Sequence, residues 1–384
     1  MNKKIYLLLA CQFLSAFADN AILFTVIAIV MQSQQLAGWY IPALQSVFLI
    51  AFVILAPWVG AIADQHAKSR VLLTANLIKA LGAALLLVNI EPLIAYTVVG
   101  IGAAIFSPAK YGILPELAGN DLLVKTNSWI EGSTILAILS GMAVGAQIAD
   151  YSIPLALSFT VALFLVSAAT TLFLPAHISK KTSQGSQVFH FYQQIKQFLV
   201  TPRSRFAILG GSLFWASAAT LRVIIVAWAP LILYAKNATE IANLTLFLAI
   251  GIIAGSALVP RIIPLEHLRR VRFPAALMAL FIILLGFADS LWTSRVILFI
   301  IGTTGGMFIV PINAALQELG HRSIGSGGAV ALQNFFQNVA MLISVGIYTY
   351  AAAQNTSPVT AMLVLGGCLF IATLMISARL PIPE

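Results

Sequence analysis

The sequence predicts an all-α integral membrane protein of twelve transmembrane helices, set out as two six-helix, pseudo-symmetric halves. Three observations carry that prediction. Of 384 residues, 60% are apolar and only 9% charged, against roughly a quarter charged in a soluble domain. Twelve apolar stretches reach the length of about 20 residues that a ~30 Å hydrocarbon core requires. One long polar stretch, 176–205, divides them six and six.

In chain order the stretches are 5–31, 40–63, 70–90, 93–114, 126–150 and 153–175, then 206–234, 240–262, 272–289, 294–316, 327–352 and 357–379. The first begins like a secretory leader, with Lys3, Lys4 and the small-residue run Ala16-Phe17-Ala18, and Leu8-Leu9-Ala10-Cys11 imitates a lipoprotein cleavage box. The apolar run resumes after Asn20 and totals about 27 residues, too long for a leader core of 7–15. A first membrane helix without cleavage is therefore expected. Cys11 and Cys368 both fall within spans, so neither a disulfide nor a metal site is expected, and nothing suggests a cofactor.

Basic residues orient the chain. All but four of the 21 Lys and Arg lie in segments or helix ends on one face when both termini are placed in the cytoplasm. The exceptions are Lys236 and Arg295 in outer loops and Lys79 and Arg222 within spans. This is the positive-inside pattern. The net charge of +9 then reflects topology and anionic headgroups, and no soluble basic surface exists for nucleic acid.

The division is 1–175 for the first half, 176–205 for a cytoplasmic linker and 206–384 for the second half. Within the linker, Val188, Phe191, Tyr192, Ile195, Phe198 and Leu199 recur at helical spacing. They predict a short amphipathic helix on the membrane surface; the other reading is an unstructured linker. A duplication shows weakly: Pro108-Ala-Lys110 in span four matches Pro311-Ile-Asn313 in span ten, and Asn127 with Glu131 matches Asn334 with Asn338. Two such halves around a midplane site form the major-facilitator arrangement. The loop after span two, Gly60-Ala-Ile-Ala-Asp64-Gln-His-Ala-Lys68-Ser-Arg70, is similar to that superfamily's G-x-x-x-D-(R/K)-x-G-(R/K)-(R/K) signature, with Gln65 and Ala67 departing from it. Asp64, Lys68 and Arg70 are expected to act in gating, through charge-assisted bonds at a contact that opens and closes.

Ionised groups at bilayer depth cost at least ~2.5–3.5 kcal/mol, so they face a cavity or a partner. Asp19 sits inside span one and Arg222 inside span seven. Asp19 shares a face with Ser15 and Gln12, and Asn20 lies beside it; Arg222 follows Trp215 and Ser212. An anionic and a cationic wall suit a ligand carrying both signs, such as an amine joined to a phosphate. The plainer alternative is an Asp19–Arg222 bridge that locks the halves. Lys110 either meets a phosphate as a point charge or extends to the headgroups. Lys79 and Glu131 read as structural or gating charges.

The segments QFLSAFADNAILF, FSPAKYGILPEL, TNSWIEGSTILAILSG, GSLFWASAATLRVIIVAW, VPINAALQELG and ALQNFFQNVAML closely resemble the bacterial lysophospholipid transporter family of the major facilitator superfamily. The resemblance covers nearly the whole chain. It implies a monomeric carrier that moves lysophosphatidylethanolamine and lysophosphatidylglycerol from the outer to the inner leaflet of the bacterial inner membrane. A cytoplasmic acyltransferase/acyl-carrier-protein synthetase would then restore the missing chain. It also implies headgroup roles for Asp19, Lys110 and Arg222. Phe13 and Trp215, with Phe17, Phe214 and nearby alanines, line an acyl-chain wall or simply pack helices. The rival reading is a proton-coupled drug or solute antiporter of the same superfamily. Its fifth-span glycine motif normally carries a Pro, which Gly141-x3-Gly145 lacks, and span four lacks its Arg. An enzyme is not expected: the chain has no H-E-x-x-H and no G-x-S-x-G.

Overall fold

The structure is a computed structural model describing residues 3–33, 39–176, 187–262, 265–323 and 326–378. The helices are α1 (Lys3–Ser33), α2 (Tyr40–Gln65), α3 (Lys68–Leu87), α4 (Pro92–Tyr151), α5 (Ile153–Thr171), α6 (Gln187–Phe198), α7 (Pro202–Ile232), α8 (Ala238–Ile262), α9 (Arg272–Leu285), α10 (Leu291–Ser323), α11 (Ser326–Ala353) and α12 (Pro358–Ala378). A 3-10 turn, Leu265–Val271, precedes α9. Local chemistry sets several of the starts. Thr201 accepts the Ser204 N–H with Pro202 in the first turn of α7, and Glu91 and Ser152 do the same ahead of Pro92 and Pro154. Asn89, Tyr234 and Asn355 take positive φ of 59°, 55° and 59° and turn the chain just past α3, α7 and α11.

Among the described residues, 11 helical stretches are long and apolar enough to cross a membrane. The ninth expected span, 272–289, is shorter than its sequence suggests. α9 holds 14 residues, about 21 Å of rise, and stops where the N–H groups of Gly286 and Phe287 turn back to the carbonyls of Ile283 and Leu284.

Spans four and five, expected to be parted by a loop, lie in 60 residues of unbroken helical assignment, α4. A straight helix would set Gly102 and Gly141 ~58 Å apart. Both instead pack at one level of the unit. A Cβ on Gly102 would stand 2.5 Å from Lys79 Cγ, and one on Gly141 would stand 2.4 Å from the Phe17 carbonyl oxygen. The helical path therefore doubles back between the spans Pro92–Leu114 and Gly132–Tyr151.

The chain forms two compact units. The first comprises Met1–Gln35, Val47–Phe191 and Asn237–Ala242; the second comprises Leu36–Ser46, Tyr192–Lys236 and Asn243–Glu384. In the first, Leu8, Cys11, Leu72, Ala75, Phe106, Ile113 and Ile130 share one core. The carboxylate of Asp150 also accepts the N–H groups of Ala238 and Thr239 at 3.1 and 2.8 Å, satisfying the start of α8. In the second unit, α8 and α10 meet backbone to backbone: a Cβ on Gly255 would lie 1.9 Å from the Thr303 carbonyl oxygen. Such contacts are how helices associate where lipid removes the hydrophobic drive.

Candidate functional site: the buried charge cluster

Asp19 lies on α1 with its side chain 27% exposed, and Lys79 lies on α3 with its side chain 0% exposed. The Lys79 ammonium donates to both Asp19 carboxylate oxygens at 3.0 Å and also to Ser15 Oγ. Its remaining surroundings are the rings of Phe106 and Phe164, whose centroids lie 4.6 and 4.9 Å away. Ring faces attract a desolvated cation, so the ammonium is held on every side.

The network continues away from the open side of Asp19. Ser15 Oγ donates to Asn76 Oδ1 at 2.9 Å, Asn76 Nδ2 donates to Ser167 Oγ at 3.0 Å, and Ser167 Oγ donates to the Cys11 carbonyl at 2.8 Å. Three helices, α1, α3 and α5, are thereby tied to one charge pair. The Asp19 carboxylate has about four lone-pair sites, and Lys79 occupies two. What remains can accept an N–H or an ammonium.

Ser15, expected at the substrate site, is fully buried and bonds Lys79 and Asn76. Lys79, read as a structural or gating charge, sits at the centre of the pair. The signal was available: Ser15 and Asp19 are four apart on one helix, Asn76 and Lys79 three apart on another, and each pair shares a face.

The other site residues fall as follows. Asn20 donates to the Ala16 carbonyl at 2.9 Å, back-bonding its own helix. Phe13 packs on Phe17 with centroids 6.1 Å apart. Lys110 is buried, its ammonium 4.2 Å from the Tyr111 ring centroid. Lys68 is buried beside Gly112, and Arg70 is exposed. Arg222 is half-buried on α7, two residues beyond Thr220, whose hydroxyl lies 2.7 Å from that of Ser344 on α11. Trp215, 39% exposed, meets Phe214 edge-on at 5.4 Å. The side chains of Asp64 and Glu131 lie outside the described residues.

A set of membrane-length helices, with a charge pair buried inside the first unit, fits a membrane carrier, and sequence comparison fixes the class. The model of the Major Facilitator Superfamily matches residues 8–345, and the chain belongs to that superfamily. Within it, the chain is 38% identical over 356 residues to "Lysophospholipid transporter LplT" of Photorhabdus laumondii, covering 92% of this chain and 89% of that protein. It is 37% identical over 387 residues to the protein of the same name from Citrobacter koseri, covering 98% and 96%. The fold is shared with solved structures of the nucleoside transporter NupG, at TM-score 0.75, 14% identity and 98% and 99% coverage. It is also shared with FucP in the outward conformation, at TM-score 0.65, 16% identity and the same coverage.

Proposed function

We propose that this protein transports lysophospholipids across the bacterial inner membrane. The observation that carries the reading is identity of 38% over 92% of the chain to a protein named as a lysophospholipid transporter. The site supports it chemically. A lysolipid has one acyl chain and a charged head, and its amine, when present, needs an acceptor at bilayer depth. Asp19 supplies one, bonded by Lys79 and still partly open. Arg222 takes the phosphodiester through its forked donors, Lys110 adds positive charge, and Phe13 and Trp215 border the acyl chain.

The carrier is built from halves 1–175 and 206–384 with both termini cytoplasmic. Transport runs from the outer to the inner leaflet and delivers lysophosphatidylethanolamine and lysophosphatidylglycerol to a cytoplasmic acyltransferase. The test is uptake of labelled lysophosphatidylethanolamine into spheroplasts lacking their own carrier, with and without this chain. Faster uptake with the chain is expected, and identical rates would overturn the reading.

A further inference from the structure

The second unit carries a cavity that the transport reading does not use. It lies between the first two turns of α7 and the last two of α12 and measures about 310 Å³. Phe206 and Leu209 line it from α7, and Ala372, Met375 and Ile376 from α12, with Arg205 at its edge. Positions 202, 205, 206 and 209 follow the spacing of one helix face, as do 372, 375 and 376. The walls are hydrocarbon and the single charge is a cation.

The chain around Arg205 is fixed. Ser204 Oγ donates to the Phe198 carbonyl at 2.5 Å and to the Thr201 carbonyl at 2.9 Å, which locks the turn joining α6 to α7. Arg205 donates one N–H to the Val200 carbonyl at 2.9 Å. A guanidinium has five such donors, so the exposed head keeps four. The preceding helix, α6, carries Lys196 in its last turn, and Arg203 lies two residues before Arg205. This corner, at the start of an apolar span, is where a basic cluster meets lipid headgroups.

We infer that this cleft is a binding site for an anionic diacyl phospholipid of the surrounding bilayer, its phosphate on Arg205 and one acyl chain between α7 and α12. The occupant follows from charge and shape together. An apolar trough with a fixed guanidinium at its mouth matches a phosphodiester joined to a chain, and a lipid with net negative charge meets no ammonium to repel Arg205.

The test is lipid retention by the purified full chain in native mass spectrometry, with phosphatidylglycerol and phosphatidylethanolamine supplied in equal amounts. Wild type is expected to retain phosphatidylglycerol preferentially. Arg205→Ala should weaken that retention about ten-fold, the scale of one charge-assisted hydrogen bond. Arg270→Ala removes the same charge at an exposed position outside the cleft and should keep the preference. Ala372→Trp should expel both lipids by filling the trough. An unchanged preference in Arg205→Ala would overturn the site. So would equal loss in Arg205→Ala and Arg270→Ala, or displacement of phosphatidylglycerol by equimolar lysophosphatidylethanolamine, which would make the cleft part of the transport path.

Discussion

Equivalent helices of the two units treat their polar residues differently. In the first, Gln12 on α1 donates to Thr134 on α4 at 2.9 Å, and the bonded chain from Asp19 to Cys11 leaves its donors employed. In the second, Ser212 lies on α7 and Gln337 on α11. Both are at least nine-tenths buried, and Ser212 Oγ and Gln337 Nε2 have no hydrogen-bond partner among the described residues. They are close neighbours in the fold: a Cβ on Gly211 would lie 3.2 Å from Gln337 Nε2. The first unit thus resembles a finished scaffold around one acceptor, whereas the second keeps polar capacity it does not spend on itself. An unmade buried hydrogen bond costs about 1–3 kcal/mol, so that capacity is held against a penalty.

The sharpest way to break this contrast is Lys79→Met. It removes the charge that holds Asp19 while roughly keeping volume, and leaves a carboxylate unpaired beside Phe106 and Phe164. Loss of one partner from a buried ion pair costs about 3–5 kcal/mol, so thermal unfolding in detergent should show a large drop in midpoint. Adding Asp19→Asn to the same chain should restore most of it. Restoration failing would mean that Lys79 acts through its ring and serine contacts rather than through the carboxylate.

A smaller effect separates the two polar seams. Thr134→Val leaves the Gln12 amide without its acceptor and should cost about 1–2 kcal/mol. Gln337→Leu removes a donor that has no partner to lose, and should leave stability within about 0.5 kcal/mol of wild type or raise it. Equal destabilisation by the two substitutions, measured by the same unfolding assay, would erase the distinction between the units.

Much of this was legible in the chain. Apolar runs mark membrane spans because lipid demands long uninterrupted stretches, and Asp19, Lys79 and Arg222 stood out as charges within them. The pairing did not follow. Opposite signs at similar places in the two halves suggested two walls for one ligand or a bridge between them, while the Asp19–Lys79 pair depends on how helices pack in the first unit, which composition does not encode. The partners of Ser15 were hidden for the same reason: a polar residue on a helix face can turn to a cavity or to a neighbour. The short α9 escaped because apolar residues continue to Phe287 past the helix end.

The central claim is that Asp19, held by Lys79, receives the amine of the transported lipid. Competitive binding of lysophosphatidylethanolamine and lysophosphatidylglycerol to purified wild type and Asp19→Asn tests it, because the ratio of affinities cancels any general loss of folded protein. The glycerol head has no amine to lose a partner. Asp19→Asn should therefore weaken the ethanolamine lipid by roughly 10- to 150-fold, the worth of a charge-assisted hydrogen bond, and the glycerol lipid by much less. Equal weakening of both would contradict the amine contact and leave the Asp19–Lys79 pair as structure alone.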